Sequence, residues 1–554
     1  MPDIAGTAAG LLVVLLTSVM PVPASGQQDD LETVLRGITA DRLRAHLTFL
    51  SDDLLEGRAP GTRGARIAGR YIAAHFERAG LRRPGFGWYQ PVPLIGWKPR
   101  PDSMELQFEA RGRHIPVSYP TDAVLWTAVG SRAVAVDGEV VFAGYGVRAP
   151  EEGWDDYGDA DVRGKVLLLL AGDPPSPPDN PEVFDGAALT WYGRWTYKLD
   201  EAARRGAAAA LIIHSEAGAG YGWDVVRTSW TGEQVHPAPR DTSVLPPRAL
   251  EGWIRPGAAR FVLGAAGLDL EQLVARAGRR DFEPIATGLT VHARAAGSTR
   301  PIAGANLVGI LPGGDPVLRD EAVVYTAHFD HLGIGPSESG DSIYNGAYDN
   351  ASGVSVLLEL ATAFARLQSV PGRSIIFIAT TAEETGQLGA QRYVMDPVIP
   401  MERTAAVINI DGANLWGPAW DIAAVGAERS TLGEVAEEAA RREGLRLSPE
   451  RAADKGFFFR SDHFPFVQAG VPALSIEHGL DYRDRPPGWG VSQLARFDTE
   501  RYHRPSDEYD PAFDLAGAVQ QARFSFLVGL AVARDRDMPR YLDDSEFRRI
   551  RGHD

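Results

Sequence analysis

The stretch from Tyr325 to Gly353, YTAHFDHLGIGPSESGDSIYNGAYDNASG, constrains this chain more than any other. It follows an apolar run, Ala322-Val323-Val324-Tyr325, that reads as a buried strand. It ends where Val354, Val356, Leu357, Leu358, Leu360 and Ala361 begin a helical pattern. Between strand and helix lie His328, Asp330, His331, Asp341 and Asp349. In an open α/β sheet, the region beyond the carboxyl end of a strand is where ligands bind. His328 and Asp330 are two apart, so at a strand end their side chains point the same way. A carboxylate there is placed to accept the second imidazole N–H. Asp349 offers two oxygens and can bridge a pair of cations. Asp and Asn also favour turns and helix caps, so on this loop alone a metal site and a capped polar loop stand level.

The second half of the chain repeats the pattern. Strands are expected at Asn306 to Leu311, Glu321 to Ala327, Ser374 to Ala379, Ala405 to Ile410 and Val471 to Ile476. Helices are expected over Val354 to Leu367, Glu434 to Glu443 and Leu515 to about Val532. The turn Pro312-Gly313-Gly314-Asp315 between the first two strands reads as a hairpin signal. Alternation of this kind implies an α/β fold with a mixed, mostly parallel sheet flanked by helices. Three strands then deliver acids or imidazoles at their carboxyl ends: His328, the Glu383–Glu384 pair and Asp411. Two loops deliver Asp349 and His503. Any one of these has a plain alternative as a turn or cap residue; five independent elements converging on one sheet edge do not. Adjacent carboxylates repel without a cation, so Glu383–Glu384 makes most sense beside metal. Imidazoles with carboxylates suit zinc with open positions for water.

Before this half, Ile38 to Leu55 reads as a helix capped by Thr39 or Asp41, and a second helix runs from about Ala65 to Gly80. From about Asp102 to Ser298 short β-like runs dominate, with a Pro-rich loop from Pro174 to Pro181. A helix, Tyr197 to Arg205, precedes the apolar strand Ala208 to Ile213. This reads as a smaller, β-rich accessory insert, in which His214 and His236 are ordinary polar residues. At 554 residues two domains are expected: residues 1–26 as a leader, 27–101 and 299–554 as the two parts of the metal-bearing domain, and 102–298 as the insert. A net charge of −17 argues against a nucleic-acid partner. With no cysteine, disulfides, thiolate zinc sites and cysteine nucleophiles are excluded. The apolar stretch Leu11 to Val19, followed by Ala24-Ser25-Gly26, resembles a secretory signal, although no Lys or Arg precedes it. It is short for a membrane span. Export to the periplasm or medium is the expectation, with no membrane span after cleavage; an inert tail is the alternative.

The motifs AHFDHLG, NGAYDNASG, TTAEETGQLGAQRY, INIDG, FRSDHFPF, GVPALSIEHG and YHRPSDE, in that order, resemble the co-catalytic dizinc exopeptidase family that includes the bacterial leucyl aminopeptidases. That superfamily also holds glutamate carboxypeptidases and the transferrin receptor. The N-terminal LSDDLLEGRAPGTRGARIAGRYIAAHFERAGL is similar to its first helices, and the region from Trp154 to Ile213 looks like an inserted protease-associated domain. The resemblance implies a zinc exopeptidase (phosphorylase/hydrolase-like) fold holding two Zn2+ ions. It assigns one to His328, Asp349 and Asp411, and the other to Asp349, Glu384 and His503. It makes Asp330 the carboxylate that orients His328, Glu383 the general base and Tyr502 an oxyanion-stabilising phenol. His331 and His463 receive only structural hydrogen bonds. It also implies a cis peptide bond at Asp349–Asn350.

The reaction so implied is hydrolysis, with a water between the cations losing its proton to Glu383 and attacking a peptide carbonyl. Three alternatives share the fold: a glutaminyl cyclase with one zinc, a carboxypeptidase, and a receptor-like binding protein lacking ligands. Cleavage from the amino end is favoured, because a carboxypeptidase needs clustered cations for the terminal carboxylate. Arg392, Lys455, Arg460 and Arg504 are scattered, and Arg460 is expected in a structural ion pair. The loop from Gly479 to Arg501, with Tyr482 and Trp489, either shapes or covers the substrate pocket.

Overall fold

A computed structural model describes residues 24–127, 132–176, 183–186, 188–238, 250–451, 453–543 and 545–548. The leader stretch Leu11 to Val19 lies outside these residues, as does most of the Pro-rich loop. Ala24, at the expected cleavage point, opens the helix Ala24–Arg36.

Four strands buried along their whole length or nearly so form the centre of the metal-bearing part. They lie parallel in the order Ala473–His478, Thr404–Ile410, Ala322–His328, Ser374–Thr380. Such strands carry apolar side chains on both faces because helices cover both faces. The helices Gly353–Ala365, Ala40–Leu50, Arg63–Arg78 and Ala516–Arg534 pack on one side and share a single core with the sheet. The last of these is long and apolar enough to cross a membrane, but 72% of its most apolar window is buried inside this core. Phe458, Phe459, Phe464 and Phe466 fill the other face. The expected mixed, mostly parallel α/β fold is what the chain adopts.

One strand, Ile285–Leu311, carries the chain between two cores. Its first part pairs with Ala133–Phe142 and Glu105–Ala110, its middle with Tyr89–Pro99, and its end with Ser374–Thr380. Residue 298, where the insert was expected to end, lies inside this unbroken strand. The inserted region has its own sheet. Ala133–Phe142, Val166–Leu170, Ala209–Ile213 and Leu250–Ile254 run parallel around a core that includes Phe108, Phe142, Leu211 and Trp253.

Three local expectations are corrected. The first helix spans only Ala40–Leu50; Asp52 then accepts a bond from the Leu54 N–H and turns the chain, leaving Leu54 exposed. Thr39 stands at the cap position without a side-chain bond. The Pro312–Asp315 turn is not a hairpin, since Ser374–Thr380 lies between the two strands it joins. A strand buried on both faces takes neighbours that bury it, and the local turn signal does not choose them. The loop after Gly479 contains a helix, Trp489–Glu500. The Asp349–Asn350 bond is cis, as expected.

Candidate metal centre

The sheet delivers its polar residues to one edge. Ala322–His328 ends in His328, Thr404–Ile410 is followed by Asp411, and Ser374–Thr380 leads into Glu383 and Glu384 through Ala382 at φ 59°. Asp349 and His503 reach the same point from loops. His328 Nε2 lies 3.0 Å from Asp411 Oδ1 and 3.2 Å from Asp349 Oδ1. His503 Nε2 lies 3.1 Å from Glu384 Oε2 and 3.3 Å from Asp349 Oδ2. Two ligands about 2.0–2.1 Å from a tetrahedral zinc stand about 3.3 Å apart. All four separations are near that value, and the two oxygens of Asp349 serve one imidazole each. This donor set fits two cations sharing a carboxylate.

His331 also enters the cluster. Its Nδ1 is 2.6 Å from Glu384 Oε1 and 4.0 Å from Asp349 Oδ1. A 2.6 Å contact leaves no room for tetrahedral co-ligation and is a charge-assisted hydrogen bond. His331 therefore holds Glu384, the structural hydrogen bond its sequence position suggested. His463 is buried edge-on against Phe458, 5.1 Å between ring centres.

Asp330 departs from expectation. His328 Nδ1 donates to the backbone carbonyl of Asp330 at 3.1 Å, and not to its carboxylate. That carboxylate instead accepts from the Ala382 N–H at 2.8 Å, fixing the turn before Glu383. The strand end curls so that the nearer acceptor is main chain. Burial pushes the Asp330 carboxyl up to about 7, against the pull of His328.

Glu383 makes no side-chain hydrogen bond among the described residues. Burial raises its carboxyl well above the usual range; Asp411, Asp462 and Glu384 add to this and His328 opposes it. Burial lowers the His328 imidazole, but Asp411 and Asp349 outweigh it and hold the group well above its ordinary value. Burial would raise Asp349, yet His328 and His503 hold it well below. Tyr502, half-exposed, stacks on His503 at 3.9 Å between ring centres.

Several supporting residues were not singled out from sequence. Arg58 is 1% exposed and has no carboxylate partner at contact distance among the described residues. Its guanidinium donates to the carbonyls of Phe329 at 2.8 Å, Asn345 at 2.6 Å and Gly346 at 3.1 Å, and to that of Leu50. It thus clamps both ends of the loop between His328 and Asp349. Burial lowers it to about 10, against the carboxylates of Asp330, Asp507, Asp349 and Glu384. Asp507 accepts from the Tyr348 and Asp349 N–H groups. Ser461 Oγ donates to Asp411 Oδ2 at 2.6 Å. Asn350 joins the Gly353 and Gly412 N–H groups to the carbonyl of Ile410. Gly346, at φ 57°, admits no side chain, because a Cβ would lie 2.1 Å from Asp349 O and 2.6 Å from the His331 ring. The GRAPGT and YHRPSDE runs were the available signals, but which of their polar residues are buried is a tertiary matter.

Trp489 lines a cavity of about 270 Å³ with Tyr348, Trp416, Phe497 and Arg501. None of the five candidate ligands borders it. Tyr482 is buried, its hydroxyl donating to Asn414. Among the scattered cations, Arg392 pairs with Asp396 and Arg504 with Glu338. Arg460 has no ion pair among the described residues, which corrects the expectation for it.

Residues 306–525 match the model of peptidase family M28. Aminopeptidase YwaD of Bacillus subtilis is 29% identical over 213 residues, 37% of this chain and 40% of that protein. Leupeptin-inactivating enzyme 1 of Streptomyces exfoliatus is 28% identical over 217 residues, 38% of this chain and 45% of that protein. The aligned segments thus span less than half of either relative. The solved aminopeptidase from Aneurinibacillus sp. strain AM-1 has the same fold at a TM-score of 0.50 and 18% identity, covering 92% of this chain and 97% of its own.

Proposed function

We propose that this chain is an exported zinc-dependent aminopeptidase that removes amino-terminal residues from peptides. The observation that carries the reading is the pair of triads, His328–Asp349–Asp411 and Asp349–Glu384–His503, spaced for two zinc ions with Asp349 common to both. Zinc bound there polarises a carbonyl and lowers the pKa of water toward about 7. The chain's own residues do the rest. Glu383, part-buried and without a side-chain hydrogen bond among the described residues, accepts a proton from water and returns it to the leaving amine. Tyr502, beside His503, is placed to donate to the developing oxyanion. Arg58, Asp507, Ser461 and His331 fix the ligand side chains, as hydrogen-bonded partners behind a metal site do.

The acidic lining favours a substrate with a free amine, and the similarity to aminopeptidase YwaD supports the aminopeptidase reading. Export rests on the Leu11 to Val19 stretch and is tested by sequencing the amino end of the mature protein. The activity is tested with aminoacyl amides and matched free and acetylated peptides, with zinc content measured on the same sample. Removal of amino-terminal residues, lost on chelation and restored by zinc, is the expected outcome. Equal cleavage of acetylated peptides, or cyclisation of amino-terminal glutamine by a one-zinc protein, would replace this reading.

A further inference from the structure

The cavity that Trp489 borders is separate from the metal centre: none of the five candidate ligands lines it, and neither does Glu383 or Tyr502. Much of its wall is one helix, Trp489–Glu500. Trp489, Gln493, Arg496, Phe497 and Glu500 all border the space. Their three- and four-residue spacing places them on a single helix face. Only Gly490 and Phe497 of this helix are buried, so Phe497 is its anchor and the rest of that face has no protein packed against it. The opposite walls are also aromatic. Tyr348 and Trp416 stack at 5.5 Å between ring centres, Phe497 lies 4.5 Å from Tyr348, and Phe513 closes another side.

Charge of both signs borders the same space, and part of it is uncommitted. Arg496 pairs with Glu500 at 2.8 Å. Arg485 and Arg501 have no ion pair and no side-chain hydrogen bond among the described residues. Each guanidinium stands over a ring instead, 4.8 Å from that of Trp489 and 6.0 Å from that of Phe513. Asp510 Oδ1 accepts from the Ala512 N–H at 2.9 Å, and Asp514 Oδ1 from the Ala516 N–H at 3.0 Å. The second oxygen of each has no hydrogen bond among the described residues. Two cations and two anions therefore face one aromatic space. A ligand charged in one sense only is repelled by one of these pairs. A ligand with an ammonium and a carboxylate on the same carbon, and an aromatic ring attached, matches the acids, the arginines and the walls together. The cavity of about 270 Å³ equals the space of about nine waters at roughly 30 Å³ each, room for an amino acid of about a dozen non-hydrogen atoms.

The walls continue into the metal centre. Tyr348 precedes Asp349, and Asp507, which accepts from the N–H groups of both, also borders the cavity. Phe497 lies 6.4 Å from Tyr502, the neighbour of His503. An occupant thus rests against the segments that carry Asp349 and His503.

We propose that this cavity is a second binding site, one that takes a free aromatic amino acid. Its link to function rests on the peptidase reading above, since free amino acids are what an aminopeptidase releases; the site then holds product away from the metals.

Calorimetry with L-phenylalanine, on the full chain in zinc-containing buffer, tests the proposal. The expected result is one equivalent bound, at least about fivefold more tightly than 2-phenylethylamine, which lacks the carboxylate, or 3-phenylpropionate, which lacks the ammonium. Acetohydroxamate, a metal ligand with neither ring nor ammonium, leaves that binding unchanged. Trp489→Ala weakens it about tenfold, and Trp489→Phe restores part. Absence of binding up to about 10 mM overturns the proposal. So does displacement by acetohydroxamate, which would put the ligand on the metals, or binding that Trp489→Ala leaves intact. Equal binding of the two analogues and L-phenylalanine overturns it as well, since the charges would then select nothing. The analogue and competition arms use the natural chain, so a variant that fails to fold does not shield the proposal. No arm requires turnover, and a failure of the hydrolase reading leaves the test standing.

Discussion

The molecule contains two parallel four-stranded sheet centres with opposite chemistry at their carboxyl edges. Beyond Ala322–His328 and its neighbours, carboxylates and imidazoles face one another, and each imidazole nitrogen sits between two acids. Beyond the strands of the inserted region, polar residues are already satisfied. Asp173 accepts from the Thr190 N–H and hydroxyl, Asp156 from the Val147 N–H and Trp154 Nε1, and Lys198 donates to Tyr145 O. A strand end is therefore only a location. What makes a site is several ionisable groups brought to one point, as around Asp349, where two imidazoles and the acids Asp411 and Glu384 meet.

The sharpest way to break this contrast is to remove charge from the metal edge. Asp349→Asn replaces one of the two shared oxygens with an amide NH2 and removes the negative charge, and is expected to abolish zinc binding and turnover together. Retention of zinc in that variant would mean Asp349 bridges nothing. Glu383→Gln is expected to lower kcat by about 10²–10⁴-fold while zinc content stays near that of the wild type. Loss of zinc there would make Glu383 a ligand.

The third prediction concerns Arg58. Arg58→Met strands carbonyls of Leu50, Phe329, Asn345 and Gly346 in the interior. Each buried unsatisfied acceptor costs about 1–3 kcal/mol. Zinc affinity is expected to fall about 10–100-fold along with a lower Tm. Unchanged affinity would show that the clamp does not set the loop.

The smallest effect belongs to the inserted sheet. Burial raises Asp156 to about 6, against the bonds from Val147 and Trp154 and the charge of Lys198. A carboxyl whose folded pKa lies above its unfolded value of about 3.9 binds more protons when folded. Stability should thus decline as pH rises from about 4 to 6, by roughly 2–3 kcal/mol. Asp156→Asn should flatten that slope in a pH series of melts and leave zinc content unchanged. A slope that persists would assign it to other groups.

The five candidate ligands were legible in sequence because each follows an apolar run or a turn whose place in an alternating α/β pattern is local information. Their shared edge followed from the parallel order. The partners behind them were not legible. Arg58 looks like a turn residue between two helices, and only the packed loop above shows that its guanidinium faces carbonyls. Asp330 was given an acceptor role for which its own backbone carbonyl stands nearer. The Pro312–Asp315 turn failed as a hairpin because strand neighbours are chosen by burial across the sheet. Arg460 was expected in an ion pair, but its guanidinium donates to the Lys455 carbonyl and lies over the Phe457 ring, contacts that only the folded loop provides.

The central claim is that two cations share Asp349, and a crystal structure of the zinc-loaded protein with anomalous data at the zinc edge tests it most directly. The predicted result is two peaks about 3.5–4 Å apart, one bounded by His328, Asp349 and Asp411 and the other by Asp349, Glu384 and His503. A single peak, or a second one held by His331 in place of His503, would contradict the account.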